Sequence, residues 1–104
     1  MTTARSASKK IFARRLRTAR LRAGLSQRAT GVAAGMDEFV ASSRVNQYER
    51  GVHAPDYPTA QRLARVLGVT TAYLFADNEA VAQILLAISL MPATAIKALA
   101  RKLR

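Results

Sequence analysis

Between positions 42 and 50 the sequence reads Ser-Ser-Arg-Val-Asn-Gln-Tyr-Glu-Arg. Short polar, amide and guanidinium side chains mix there with apolar ones at helical rather than strand spacing. On a helix over Ser42–Arg50, Val45, Tyr48 and Glu49 share the inner side. Ser43, Asn46, Gln47 and Arg50 point outward, with Ser42 and Arg44 at the N-terminal end. The chemistry of that outer set is hydrogen-bond recognition, not bond making. The amides of Asn46 and Gln47 each pair a donor with an acceptor and match the exposed edge of adenine, and an arginine fork such as Arg44 matches that of guanine. Residue type alone suits an ordinary solvated helix face equally well.

No set of residues points to catalysis. Serine, histidine and acidic residues occur, but no spacing joins a nucleophile to its base, and neither a glycine-rich phosphate loop nor a paired-carboxylate site is visible. His53 is the only histidine and cysteine is absent. A metal or haem site is therefore not expected, no cofactor is called for, and the composition suits a reducing cytoplasm.

Charge narrows the choice of partner. The net charge is +11, and residues 1–28 hold nine Lys/Arg without a single acidic residue, against eight Lys/Arg and six Asp/Glu in the remainder. A basic front end implies a polyanion, namely DNA, RNA or an anionic membrane, or else a solubilising surface. The N-terminal basic stretch is not followed by an apolar signal segment, and the longest nearly apolar run, Ala80–Met91, is too short to span a bilayer. A cytoplasmic protein with no membrane partner is expected.

The elements that would position these side chains are helices. Residues 1–7 read as a flexible basic arm. Ser8 is a candidate cap for a helix to Ala23, with Phe12, Leu16, Ala19 and Ala23 on one face and Gly24 closing it. Ser26 caps Gln27–Ala34, Gly35 stops it, and Met36–Ala41 forms a loop in which Phe39 is a candidate plug onto the core. After the helix over 42–50 and Gly51, Asp56 caps a fourth helix with Ala60, Leu63, Ala64 and Leu67 buried. Thr70 caps a short fifth, holding Tyr73 and Leu74. Asp77 is the expected cap of a sixth, with Val81, Ile84, Leu85 and Ile88 facing inward, and Ala93–Leu103 makes a seventh. The reading is all-α, with a domain over 8–76 and an extension over 77–104.

Four segments occur in order: Gly24-Leu25-Ser26-Gln27, Tyr48-Glu49-Arg50-Gly51, Pro55-Asp56 and Leu63-Ala64-Arg65-Val66-Leu67-Gly68-Val69. Over Ile11–Phe75 the chain resembles the Cro/C1-type (XRE) helix-turn-helix regulators. The resemblance implies a five-helix, lambda-repressor-like DNA-binding domain, followed here by two additional helices. It implies that Ser42, Ser43, Arg44, Asn46 and Gln47 contact bases in the major groove of double-stranded DNA. Gln27 would grip the phosphate backbone, where the free N–H groups of a helix start also point. Arg28, Arg50, the Gly51 amide and His53 would add phosphate contacts. Arg20 and Glu49 would pair in a partly buried salt bridge, a structural role.

Two departures stand out. Gln27 and Glu49 lie 22 positions apart, about four more than is usual in such domains, and the surplus falls in the loop 36–41. That leaves the start of the recognition helix open. Thr30 stands where the family usually has an aliphatic residue. The resulting expectation is a sequence-specific transcriptional regulator acting as a homodimer, with Leu86, Leu90, Met91, Ile96, Leu99 and Leu103 as the dimer surface. The alternatives are an antitoxin-like protein that binds a partner through its C-terminal helices as well as DNA, and a non-specific polyanion binder using only the first helix.

Overall fold

Capping side chains and left-handed glycines divide the chain into seven helices in the computed structural model, which describes residues 4–104, with side chains from Ala7 onward. They are α1 (Ala4–Ala23), α2 (Gln27–Ala33), α3 (Ala41–Glu49), α4 (Tyr57–Leu67), α5 (Thr71–Leu74), α6 (Glu79–Ser89) and α7 (Ala93–Lys102). The caps at Ser26, Asp56 and Thr70 each accept a hydrogen bond from the backbone N–H three residues on, which satisfies a donor that a helix start leaves free.

Two caps differ from expectation. Ser8 lies within α1, which extends back to Ala4. Residues 4–7 thus continue the helix, and the rest of the expected arm, residues 1–3, lies outside the described residues. At α6 the cap is Asn78, whose side chain accepts from the Val81 N–H, rather than Asp77.

Helices α1–α5 surround one core, in which Phe12, Leu16, Val45, Leu63 and Leu74 are among the largest fully buried side chains. Phe12 meets Tyr48 edge to face at 6.5 Å and Phe75 at 5.2 Å between ring centroids. Ala23, expected on the buried face of α1, is exposed, because the core ends one turn earlier, at Ala19 and Arg20. Thr30 is fully buried, and its hydroxyl donates to the Ser26 carbonyl at 2.8 Å. The polar atom is thereby satisfied, which accounts for a threonine at an aliphatic position. Helices α2 and α3 touch at Gly31, where a Cβ would lie 2.7 Å from the Ala41 Cβ. Only a residue without a side chain permits that approach.

The extension divides in two. On α6 the buried face is Ala82, with Leu85 and Leu86 packed against the core, while Val81 and Ile84 are 48% and 59% exposed. The expected inward stripe is therefore rotated by one residue, and Leu86, expected at an intersubunit surface, belongs to the intramolecular packing. The cause is local. Ala82 is small enough for α6 to approach closely, and Ser89 Oγ accepts from the Thr70 N–H at 3.0 Å, which pins the far end of the helix. On α7 no residue is buried. Among the described residues no helix is long and apolar enough to cross a membrane.

Candidate nucleic-acid interface

The recognition-helix candidate begins at Ala41, one residue before the expected start. Asp37 sets this register, since its carbonyl accepts from the N–H groups of both Val40 and Ala41, at 3.1 and 2.9 Å. The four surplus residues are thus taken up in a hydrogen-bonded turn and do not displace the helix face. Ala41, Val45 and Tyr48 are buried. Ser42, Ser43, Arg44 and Arg50 are exposed, and Asn46 and Gln47 are half-buried along the same front.

Behind that front lies a bidentate ion pair. Arg20 Nε and Nη2 donate to the two carboxylate oxygens of Glu49 at 2.5 and 2.9 Å, and Arg20 Nη1 donates to the Leu25 carbonyl at 2.9 Å. The Glu49 side chain is 2% exposed. Its hydrogen bond holds the Arg20 guanidinium above its ordinary pKa, against the opposing effect of burial. One arginine therefore ties α1, the α1–α2 turn and α3 into a rigid unit.

Gln27 joins the same cluster. Its amide nitrogen lies 3.3 Å from Asn46 Oδ1 and 3.3 Å from Glu49 Oε1, both long hydrogen bonds. The structure thus brings together an expected phosphate contact and an expected base contact. Each orients the other in the free protein, and neither is held so tightly that it cannot turn to a stronger acceptor.

Other expected phosphate contacts fare differently. Arg28 pairs loosely with Glu38 at 3.4 Å across exposed surface. The Gly51 N–H donates to the Tyr48 carbonyl at 3.2 Å. That amide is committed within the chain, and Gly51 serves instead to reverse the backbone at φ +73°, where an added Cβ would lie 3.8 Å from the Lys9 carbonyl oxygen. His53 is exposed and lines an open cleft of about 450 Å³ with Arg44, Gln47, Tyr48, Asp56 and Thr59. The cleft runs from the recognition front to the start of α4.

Arg15, one of the nine Lys/Arg of residues 1–28, differs from its neighbours on α1. It is buried: Nε donates to the Ala76 carbonyl and Nη1 to Glu79 Oε2, both at 2.9 Å, and the guanidinium sits 5.8 Å above the Tyr73 ring. Nη2 is buried without a hydrogen-bond partner. A position one residue before Leu16 and three after Phe12, at the edge of the buried face, was the available signal. Arg14, Arg17 and Arg22 are exposed and keep α1 basic.

Among the described residues no three His, Cys, Asp or Glu come together as metal ligands. The arrangement offers a polar, uncharged-to-basic edge on a rigid support, suited to reversible hydrogen bonding with an anionic polymer. Comparison with known proteins agrees with that chemistry. A helix-turn-helix domain model matches residues 11–74. The crystal structure of the transcriptional regulator BswR is similar at a TM-score of 0.76 and 44% sequence identity, over 88% of this chain and 90% of that one. No curated protein matches the sequence.

Proposed function

The chain belongs to the helix-turn-helix domain family as a DNA-binding regulator of XRE type, and from that premise we propose that it reads a specific operator through the major groove with α3. The observation that carries this reading is the front of α3 on its buried back. Ser42, Ser43, Arg44, Asn46 and Gln47 supply base contacts, and Gln27, Arg28, Arg50 and His53 supply phosphate contacts. The Arg20–Glu49 pair keeps the helix from tilting. Hydrogen bonds to bases discriminate only when the helix carrying them is held in register. The exposed cations of α1 add attraction to the backbone that is indifferent to sequence.

One recognition helix reads only a few base pairs, so the functional unit is a C2 homodimer on a two-fold site, acting in the cytoplasm. Its interface uses the last two helices and the turn between them, with the exposed Val81, Ile84, Leu90 and Leu103 and the half-buried Met91, Ile96 and Leu99. In support, α6 carries apolar side chains outside its packed face, with Val81 48% and Ile84 59% exposed, and a helix apolar on more than one face ordinarily has more than one partner. An antitoxin-like partner protein would use the same faces. A co-purifying second chain, with no homodimer by sedimentation, would mark that case.

Selection of bound duplexes from random DNA tests the reading. An enriched sequence should bind at least ~1000-fold more tightly than random DNA at physiological salt, and both affinities should fall steeply as salt rises. Equal affinity for selected and random duplexes would refute specific recognition.

A further inference from the structure

Phe39 is the most exposed large apolar side chain among the described residues, at 88%. It does not plug the loop onto the core, as its residue type suggested. The turn that carries it is nonetheless fixed. The Phe39 N–H donates to Asp37 Oδ1 at 2.8 Å, and the Asp37 carbonyl holds the next two N–H groups. Immediately beyond, Ala41 is fully buried against Gly31. A phenyl ring is therefore presented to water on a rigid turn, where solvation opposes it and no packing within the chain offsets that cost.

Its place gives it a partner. Phe39 lies three residues before Ser42, at the N-terminal end of α3, the end that helix-turn-helix proteins direct at base edges. The two acids of the turn are answered within the chain, Asp37 by the Phe39 amide and Glu38 by Arg28 at 3.4 Å. Beside these two exposed acids, the turn offers an apolar surface outward, the Phe39 ring. In the major groove the apolar group available to it is the C5 methyl of thymine, since the other edges present hydrogen-bonding atoms.

We propose that Phe39 is a specificity-determining residue, its ring packing on a thymine methyl at the edge of the site read by α3. The inference rests on the major-groove reading above. It extends recognition beyond the hydrogen-bonding set to an apolar contact supplied by the lengthened loop.

Deoxyuridine differs from thymidine only by that methyl group, so it isolates the contact. In a selected duplex, each thymine is replaced in turn by deoxyuridine, and binding is titrated for the wild type, Phe39→Ala and Phe39→Leu. Wild type should lose about four-fold at one thymine, the worth of one buried methyl group. Phe39→Ala should bind the thymine duplex more weakly and show no further loss there on replacement, while Phe39→Leu keeps a partial response. Thermal melts of both variants should match wild type, because the ring touches no core residue. The inference is overturned by a Phe39→Ala variant that binds as wild type, by equal deoxyuridine losses in wild type and Phe39→Ala at every thymine, or by a Phe39→Ala loss equal on selected and random DNA. Failure to enrich any sequence would overturn it together with the major-groove reading. An enriched sequence without the coupling would overturn it alone.

Discussion

Helices α4 and α7 are near twins in sequence terms and opposites in structure. They have 11 and 10 residues, each carries an apolar stripe, and each has arginine in its last turn. Yet α4 buries Ala60, Leu63, Ala64 and Leu67, while α7 buries nothing. Periodicity states that a helix face needs a partner and not where that partner is. In α4 the partner is the rest of the domain. In α7 the domain covers the stripe only in part, leaving Ile96 and Leu99 half-buried and Leu103 exposed, which is why the proposed association is placed on the extension and the fold on α1–α5.

The largest expected effect sharpens that contrast. Leu63→Ala should lower unfolding free energy by about 3–5 kcal/mol, since Leu63 is fully buried and a cavity would remain. Leu99→Ala should leave the fold of the protomer intact and instead shift sedimentation toward monomer at micromolar concentration. A large loss of protomer stability from Leu99→Ala, with mass unchanged, would erase the distinction between the two helices.

Next comes the support of the reading face. Arg20→Ala strands Glu49, 2% exposed, without its bidentate donor, and hydrogen bonds to charged groups of this kind are worth about 2–3 kcal/mol. Denaturant melts should show that loss. A stability equal to wild type would mean that α3 is held by apolar packing alone.

A smaller effect follows from ending the chain after Met91. Because α7 has no buried residue, the shortened protein should melt within a few degrees of wild type while losing dimer mass. Unfolding on removal of α7 would assign the helix to the core after all.

The smallest effect is on acid stability. Hydrogen bonding to Thr59 lowers the pKa of Asp56, and Gln83 and then Arg15 lower that of Glu79. A carboxylate whose pKa is depressed on folding contributes above its ordinary range, and that contribution is lost as pH falls through the folded value. Melting temperature should therefore be flat near neutrality and decline below about pH 4.5, the ordinary value of Glu79. Asp56→Asn should flatten part of the decline.

What was legible in the sequence followed from local chemistry. Ser26, Asp56 and Thr70 cap as their types and positions demanded, and Gly24 and Gly68 close helices at positive φ. The polar front of α3 was legible because Val45 and Tyr48 mark its back. What was illegible depended on contacts distant in sequence. On α6, where either face is apolar, only the small Ala82 against the core and the Ser89–Thr70 hydrogen bond decide between them. Arg15 read as one cation among many, because its partners lie 61 and 64 residues away. Phe39 looked like a plug, because aromatic residues usually are buried, and the Asp37 turn that turns it outward has no strong signature.

Gln47→Ala, titrated against selected and random duplexes alongside a thermal melt, tests recognition through α3 most directly. Gln47 lies half-buried on the front of the helix and takes no part in the Arg20–Glu49–Gln27 cluster. The variant should melt with wild type, lose about 1–3 kcal/mol of affinity for the selected duplex and keep its affinity for random DNA. A variant that unfolds early, or that binds both duplexes as wild type does, would contradict the facing of α3 toward DNA.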